Sequence, residues 1–262
     1  MGSEIHIFLS EYYGSLNIQR QLVAQQLILR YRRTTLGFLW TLINPLLMIS
    51  IMAIVFSALF KQDITIFALT LFAGMIPWNF LNSVVTQSCG AFLNNEGLIK
   101  KVYLPKVIFP SSIVAALLID SLLSFFVLFI VILILGGTFS WALIFLPFSF
   151  LLLFFFALGL ALIMSIATVF FRDLKHVIIL MMQALFFLSP ILYKPEALGG
   201  HLAYLVSLNP VTPFIALFRI PLVDGTFPPA GILLHAVCIT GVSMALGSLI
   251  FTREEKKIIF RL

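Results

Sequence analysis

Charge is what this sequence lacks. Only 10% of its 262 residues are Asp, Glu, Lys or Arg, against roughly 25% in a soluble domain, and that shortage excludes an ordinary water-soluble globule. Cysteine is scarce as well. Cys89 and Cys238 are too few and too isolated for a disulfide framework or a metal knuckle, and both read as small buried hydrophobes. Glycine, at 15 residues, is far below what a collagen-like chain needs. What is present instead is apolar sequence: 61% of the residues are hydrophobic, which excludes a disordered chain and leaves an integral membrane protein.

The formal charge of +6 is not the mark of a nucleic-acid binder, because no soluble basic domain exists to carry one; in an apolar chain Lys and Arg collect in cytoplasmic loops. A spanning helix needs roughly 20 mostly apolar residues. Thr34 to Phe60 and Ile64 to Asn95 contain no charged residue, and each holds one span. Between Val107 and Phe171 the only charge is Asp120, and the length suffices for two spans turning at Gly136-Gly137. His176 to Tyr193 makes a short fifth span, and Gly225 to Thr252 a sixth that begins after Pro228-Pro229. Ala197 to Phe218 is also uncharged, but His201, Asn209, Pro210 and Pro213 divide it, which predicts re-entrant or interfacial pieces rather than a seventh span.

Six spans place both termini on one side. With that side cytoplasmic, all but three of the 16 Lys and Arg lie inside, the exceptions being Lys61, Lys194 and Arg219. Residues 1–15 show no basic region followed by an apolar one, so the first span is expected to serve as the insertion signal. The predicted fold is all-α: a single polytopic domain over 1–262 with six transmembrane helices, an interfacial helix over 15–33, a cytoplasmic loop over 91–106 and short extracytoplasmic helices over 195–224.

Two segments outside the lipid have internal design. In 15–33, Leu16, Val23, Leu27 and Tyr31 recur at helical spacing, giving an amphipathic helix along the membrane surface, with Arg20 snorkelling from its apolar stripe; a plain basic stop before the first span is the simpler reading. In 91–106, Asn94 or Asn95 can cap a short helix, Glu96 suits its first turn, and Pro105 stops it at Leu104. Leu98, Ile99, Val102 and Tyr103 give it an apolar face that needs headgroups or another protein as cover.

The interior offers little chemistry. Asp120 is the one carboxylate well inside a span, where either a proton or transport role or a hydrogen bond to Ser121 or Ser124 would explain it. His6, His176, His201 and His235 have no metal spacing, and no nucleophile stands beside a base. No Gly-x4-Gly-Lys-Ser/Thr loop is present, so the chain is expected to bind no cofactor and to hydrolyse nothing itself.

The stretch Arg30-Tyr31-Arg32-Arg33-Thr34-Thr35-Leu36-Gly37-Phe38-Leu39-Trp40-Thr41-Leu42-Ile43-Asn44-Pro45 is followed by Ile76-Pro77-Trp78-Asn79-Phe80, then by the segment from Asn94 to Pro105. Phe171-Arg172-Asp173-Leu174, Ser189-Pro190-Ile191-Leu192-Tyr193 and Asn209-Pro210 come after. In this order the landmarks resemble the membrane subunits of ATP-binding-cassette exporters of the type 2 permease class, in particular those that export O-antigen, capsule or teichoic-acid polysaccharides. Thr34 and Thr35 stand where that family often has Ser.

The resemblance covers most of the chain and implies a homodimer in the bacterial cytoplasmic membrane, joined to two copies of a separate ATPase subunit that binds ATP and Mg, and moving a lipid-linked polysaccharide. It implies ATPase contacts from Arg30 and Arg33 in the interfacial helix and from Asn95, Glu96, Leu98, Ile99, Lys100, Lys101, Tyr103 and Leu104 in the loop. Flat aromatic faces with a polar tip suit a sugar path, so Trp40, Trp78 and Tyr193 are its candidates, although the same residues also form belts at membrane surfaces. A permease for a small lipid or drug-like molecule and an ion-gradient carrier using Asp120 are the rival readings.

Overall fold

The computed structural model describes residues 16–29, 35–37, 39–102, 104–134, 140–193 and 199–262, and all regular structure among them is helical. The helices are α1 (16–29), α2 (Leu39–Phe60), α3 (Ile64–Ser88), α4 (Glu96–Lys101), α5 (Ile108–Ile134), α6 (Leu146–Phe170), α7 (Leu174–Leu188), α8 (Gly200–Leu208), α9 (Thr212–Arg219) and α10 (Ala230–Glu254). Five helical segments are long and apolar enough to cross a membrane: Leu42–Phe60, Ile64–Ser88, Ile108–Val127, Trp141–Phe170 and Ala230–Phe260. The expected fifth span, His176 to Tyr193, forms only as the 15-residue α7. At 1.5 Å per residue that is roughly 22 Å, short of the ~30 Å hydrocarbon thickness. Pro190 is the cause, since it forces Ser189 into extended backbone (φ −89°, ψ 137°) and ends the helix. The predicted glycine turn at Gly136-Gly137 lies outside the described residues.

α3 is the axis of the bundle. Asp63 caps it, its Oδ1 accepting from the Thr65 and Ile66 amides at 2.8 and 3.2 Å. α5, α6, α2 and α9 pack around it. On the far side α6 and α10 meet backbone to backbone. A Cβ at Gly159 would stand 2.5 Å from the Ser243 backbone, and one at Gly247 2.5 Å from the Gly159 carbonyl oxygen. That approach lets the Ser243 and Thr240 hydroxyls donate across to the Phe156 and Leu152 carbonyls at 3.0 and 3.4 Å. Cys238, expected to be buried, is exposed on α10, whereas Cys89 is buried as expected.

The predicted re-entrant segment is an inward excursion rather than a surface feature. Pro213, Phe214, Ile215, Leu217 and Phe218 of α9 are all buried. Phe214 stacks on Phe156 with ring centroids 4.6 Å apart and Phe218 meets Phe150 edge-on at 4.7 Å, contacts worth about 0.5–1.5 kcal/mol each beyond burial. α9 carries four of the side chains that close the core, Phe214, Ile215, Leu217 and Phe218, and its one charge, Arg219, donates to backbone carbonyls inside the protein.

Two ends of the molecule are defined by contacts. At one, Leu22 of α1, Phe92, Ile99 of α4, Ile108 and Phe109 of α5, Leu162, Ile166 and Val169 of α6, and Phe251 and Ile258 form one apolar cluster. The Lys106 ammonium donates to the Glu255 carbonyl at 2.8 Å there. At the other end the Ser140 hydroxyl donates to the Gly225 carbonyl at 2.5 Å, and Gly225 turns with φ +65°, a conformation that excludes a Cβ at little cost only for glycine. Thus α1 and the segment after α10 lie at the same end, and the stretch from α7 to Gly225 runs from that end to the opposite one.

Candidate functional site

The end that gathers α1, α4 and the last turn is the first candidate. α1 is held by Leu22 in the cluster and by Gln19, whose Nε2 donates to Ser111 Oγ at 3.1 Å. Its docked face therefore centres on Ile18, Gln19 and Leu22 rather than on the predicted stripe of Leu16, Val23 and Leu27, and Arg20 is exposed on the protein's surface. Exposed Ile28 and Leu29 show that the second half of α1 is apolar on its outer side too.

α4 is one and a half turns long and is amphipathic in a divided way. Ile99 is buried among Phe92, Phe109 and Phe251, and Leu104 packs on the same cluster, while Leu98 and Val102 are exposed. The apolar face predicted as a single uncovered patch is thus split: Ile99 anchors the helix to the body and Leu98 and Val102 face away. Asn95 occupies the cap position, but its side chain makes no cap bond; Nδ2 donates back to the Ala91 carbonyl at 2.8 Å and fixes the turn leading in. Lys100 Nζ reaches Glu96 at 2.6 Å, one turn earlier, and Lys101 is exposed beside it. The hydrogen bond from Lys100, then its charge, hold the Glu96 carboxyl below the usual carboxylate range. Arg30, Arg33 and Tyr103, the remaining predicted coupling residues, lie outside the described residues.

Behind α4 a polar cavity of about 650 Å³ opens between α1, the end of α3 and the start of α7, with Gln25, Gln26, Gln87, Asn94, Asn95 and Lys175 on its walls. Amides there can exchange hydrogen bonds with water or with any hydroxyl-bearing guest.

Of the predicted path residues, Trp40 stands half-exposed at the start of α2. Trp78 and Tyr193 meet the end of α7 from different sides. Trp78 is buried against Phe186, with centroids 5.5 Å apart, and the Tyr193 hydroxyl donates to the Phe187 carbonyl at 3.1 Å. Trp40 is not brought to the other two.

Two residues assigned no site role from the sequence, Arg219 and Asn209, hold this region. Arg219, counted there only as an outside charge, is buried, and its guanidinium donates to the carbonyls of Pro190, Ile191 (3.3 Å) and Tyr193 (3.4 Å), satisfying the backbone that Pro190 freed from α7. Asn209 donates to Ser189 Oγ at 2.9 Å and accepts from the Val211 amide at 2.9 Å, tying the two Pro-broken corners together. The available signal was a single cation and a single Asn-Pro inside an otherwise apolar stretch.

Asp120 is buried beside a second cavity of about 410 Å³ between α2, α3 and α5, whose wall mixes apolar side chains with a group of polar ones. Asn44, Asn79, Ser83, Ser121 and Ser124 share its wall. An Asp exposed to hydrocarbon at mid-span would cost about 2.5–3.5 kcal/mol, and burial with a partner inside the protein avoids that cost for Asp120.

Residues 19–223 match the family described as ABC-2 type transporter. The O-antigen export system permease protein RfbA of Myxococcus xanthus is 28% identical over 249 residues, covering 94% of this chain and 96% of that protein. RfbA of Klebsiella pneumoniae is 28% identical over 203 residues, 77% and 78% of the respective chains. The polysialic acid transport protein KpsM of Escherichia coli is 25% identical over 235 residues, 86% and 89%.

Proposed function

From the premise that this chain belongs to the ABC-2 type transporter family, we propose that it is the membrane subunit of an ATP-driven exporter of lipid-linked polysaccharide in the bacterial inner membrane. Two copies form the conduit, and two copies of a separate nucleotide-binding subunit, which holds ATP and Mg, supply the energy. The similarity to the O-antigen permeases along nearly the full length of both chains supports the cargo class. The contacts that bring α1 and the last turn to one end support six crossings, with α7, the break at Pro190 and α9 making one passage between them. The excess of Lys and Arg supports a cytoplasmic location for that end.

The single observation that carries the mechanism is Ile99. ATP drives export only if its binding and hydrolysis alter the relative stability of closed and open dimers. A motor seated on Leu98, Lys100, Lys101 and Val102 pushes a helix whose opposite side is wedged among the ends of α5, α6 and α10, so displacement of α4 reaches three helices at once. Trp40 and Tyr193 then serve as faces on which sugar rings stack without being held tightly, whereas Trp78, buried against Phe186, supports the wall behind them.

The test is a triple change, Lys100→Glu, Lys101→Glu and Tyr103→Ala, in the reconstituted complex. Stimulation of the partner's ATPase is lost while the permease keeps its elution volume and thermal unfolding. Undiminished coupled hydrolysis in that variant disproves the lever, and cargo movement by the purified subunit alone on a proton or sodium gradient disproves the function.

A further inference from the structure

The cavity over Asp120 sits where the wall of the bundle ought to be apolar. Asn44 reaches it from the first half of α2, Asn79 and Ser83 from the second half of α3, and Asp120, Ser121 and Ser124 from the middle of α5. Residues around them on the same helices, such as Leu47, Ile51, Ile119 and Leu123, are the exposed aliphatic side chains expected against lipid tails. The polar groups therefore make a patch bounded by hydrocarbon-facing surface, and Asn44 at its rim is itself exposed. Lipid cannot satisfy amides, hydroxyls and a carboxylate, so the patch faces either water in the conduit or another protein surface.

The chemistry of the wall selects among guests. None of its lining residues is basic, so an anionic headgroup would meet only a carboxylate. A sugar ring suits it. Its hydroxyls donate to Asp120, both donate to and accept from the Asn44 and Asn79 amides, and exchange with the serine hydroxyls, while the exposed Met48 on the same wall presents soft apolar surface to the ring's C–H face. Asp120 and Ser124 are already engaged within the protein, so a passing hydroxyl replaces an existing contact rather than filling a void. Binding of that kind is weak and exchangeable, which conduction past a fixed point requires.

We propose that Asp120, Asn79 and Ser124 form a hydroxyl-binding station for a neutral saccharide unit in the wall of the conduit, midway along the path. This rests on the exporter reading above and adds a polar station to the aromatic faces. The role of Asp120 is then to accept hydrogen bonds from cargo, not to carry a proton.

The experiment uses the full complex in cells that lack the native permease, with surface polysaccharide measured by antibody or lectin. In a Cys89→Ala, Cys238→Ala background, Ser83→Cys and Ser124→Cys are modified by a trimethylammonium methanethiosulfonate at least tenfold faster than Ile51→Cys and Leu180→Cys, exposed apolar positions on α2 and α7, and modification at Ser124→Cys blocks export. Rates equal to the Ile51→Cys and Leu180→Cys controls mean that lipid or a second copy seals the patch, and they overturn the station. Asp120→Asn, which keeps one acceptor oxygen, lowers export by about threefold, and Asp120→Leu loses tenfold or more. Abolition by Asp120→Asn in a protein present at normal levels overturns the proposal in favour of a proton or cation site. Export undisturbed by Asp120→Leu, or by the blocked thiol, overturns it as well. If the wild-type chain restores no surface polymer, the exporter reading fails and takes the saccharide with it, whereas the thiol rates independently report whether the patch is wet.

Discussion

α2 and α3 are consecutive, similar in length, each interrupted by one proline (Pro45 and Pro77), and apolar enough to span a membrane. Yet 72% of the α3 span is buried inside the protein and only 17% of the α2 span. The helix with more polar residues is the buried one: α3 carries Thr70, Asn79, Asn82, Ser83 and Thr86, whereas α2 presents Leu47, Ile51, Ile54, Val55 and Leu59 outward. In water the reverse would hold. In a bilayer the surroundings are already apolar, so the interior is distinguished by side chains that hydrogen-bond or pack closely, and the periphery by those that dissolve in lipid.

The contrast can be broken at its strong side first. Trp78→Ala on α3 removes a buried ring from Phe186 and should cost about 3–5 kcal/mol, read as a large drop in thermal unfolding temperature in detergent. Gly74→Val comes next. A Cβ there already stands 3.3 Å from Ile191 Cγ2 and 3.6 Å from Arg219 Nη2, so the added methyls overpack the site that Arg219 clamps, at about 1–3 kcal/mol. On α2, Ile51→Ala, Ile54→Ala and Leu59→Ala together should shift unfolding by less than either change on α3, because lipid tails replace the lost contacts. A loss comparable to that of Trp78→Ala would show α2 to be a core helix hidden by its partner copy, and cross-linking between copies would then fall in parallel.

The smallest effect concerns the exposed pair on α4. The Glu96 pKa is depressed by Lys100, so what the pair contributes to α4 is present above the ordinary carboxylate range and is lost as pH falls through the lowered value. Lys100→Ala should raise the Glu96 titration midpoint toward that ordinary range, observable by NMR on labelled glutamate. A midpoint that does not move would mean that the ion pair does not form in solution.

Uncharged length located every long span, and the Pro228-Pro229 pair marked the start of α10 correctly because Pro229, with its fixed φ and no N–H to donate, suits the position just ahead of the first turn. The short helix α4 was legible at its start, Glu96, for the same kind of local reason, but it ends at Lys101, before the Leu104 that Pro105 was expected to set. What was not legible depends on where helices meet. Nothing in the spacing of Leu16, Val23 and Leu27 says that α1 docks through Leu22 and Gln19, since the docking partner, Ser111, is 92 residues away from Gln19. Arg219 looked like a loop cation because its acceptors are backbone carbonyls, which every sequence has and no sequence displays. Asp120 was visible as an isolated carboxylate, but its company comes from three helices.

The near-contact of Gly159 with Gly247 sets a boundary on how such a machine can work. Two backbones pressed together with serine and threonine bonds across the seam behave as a single beam, and a beam does not flex at its weld. α7 has no such weld: it meets the bundle through the side chains of Ile178, Met182 and Phe186, is exposed along Val177, Leu180, Met181 and Phe187, and ends at a proline break under an arginine clasp.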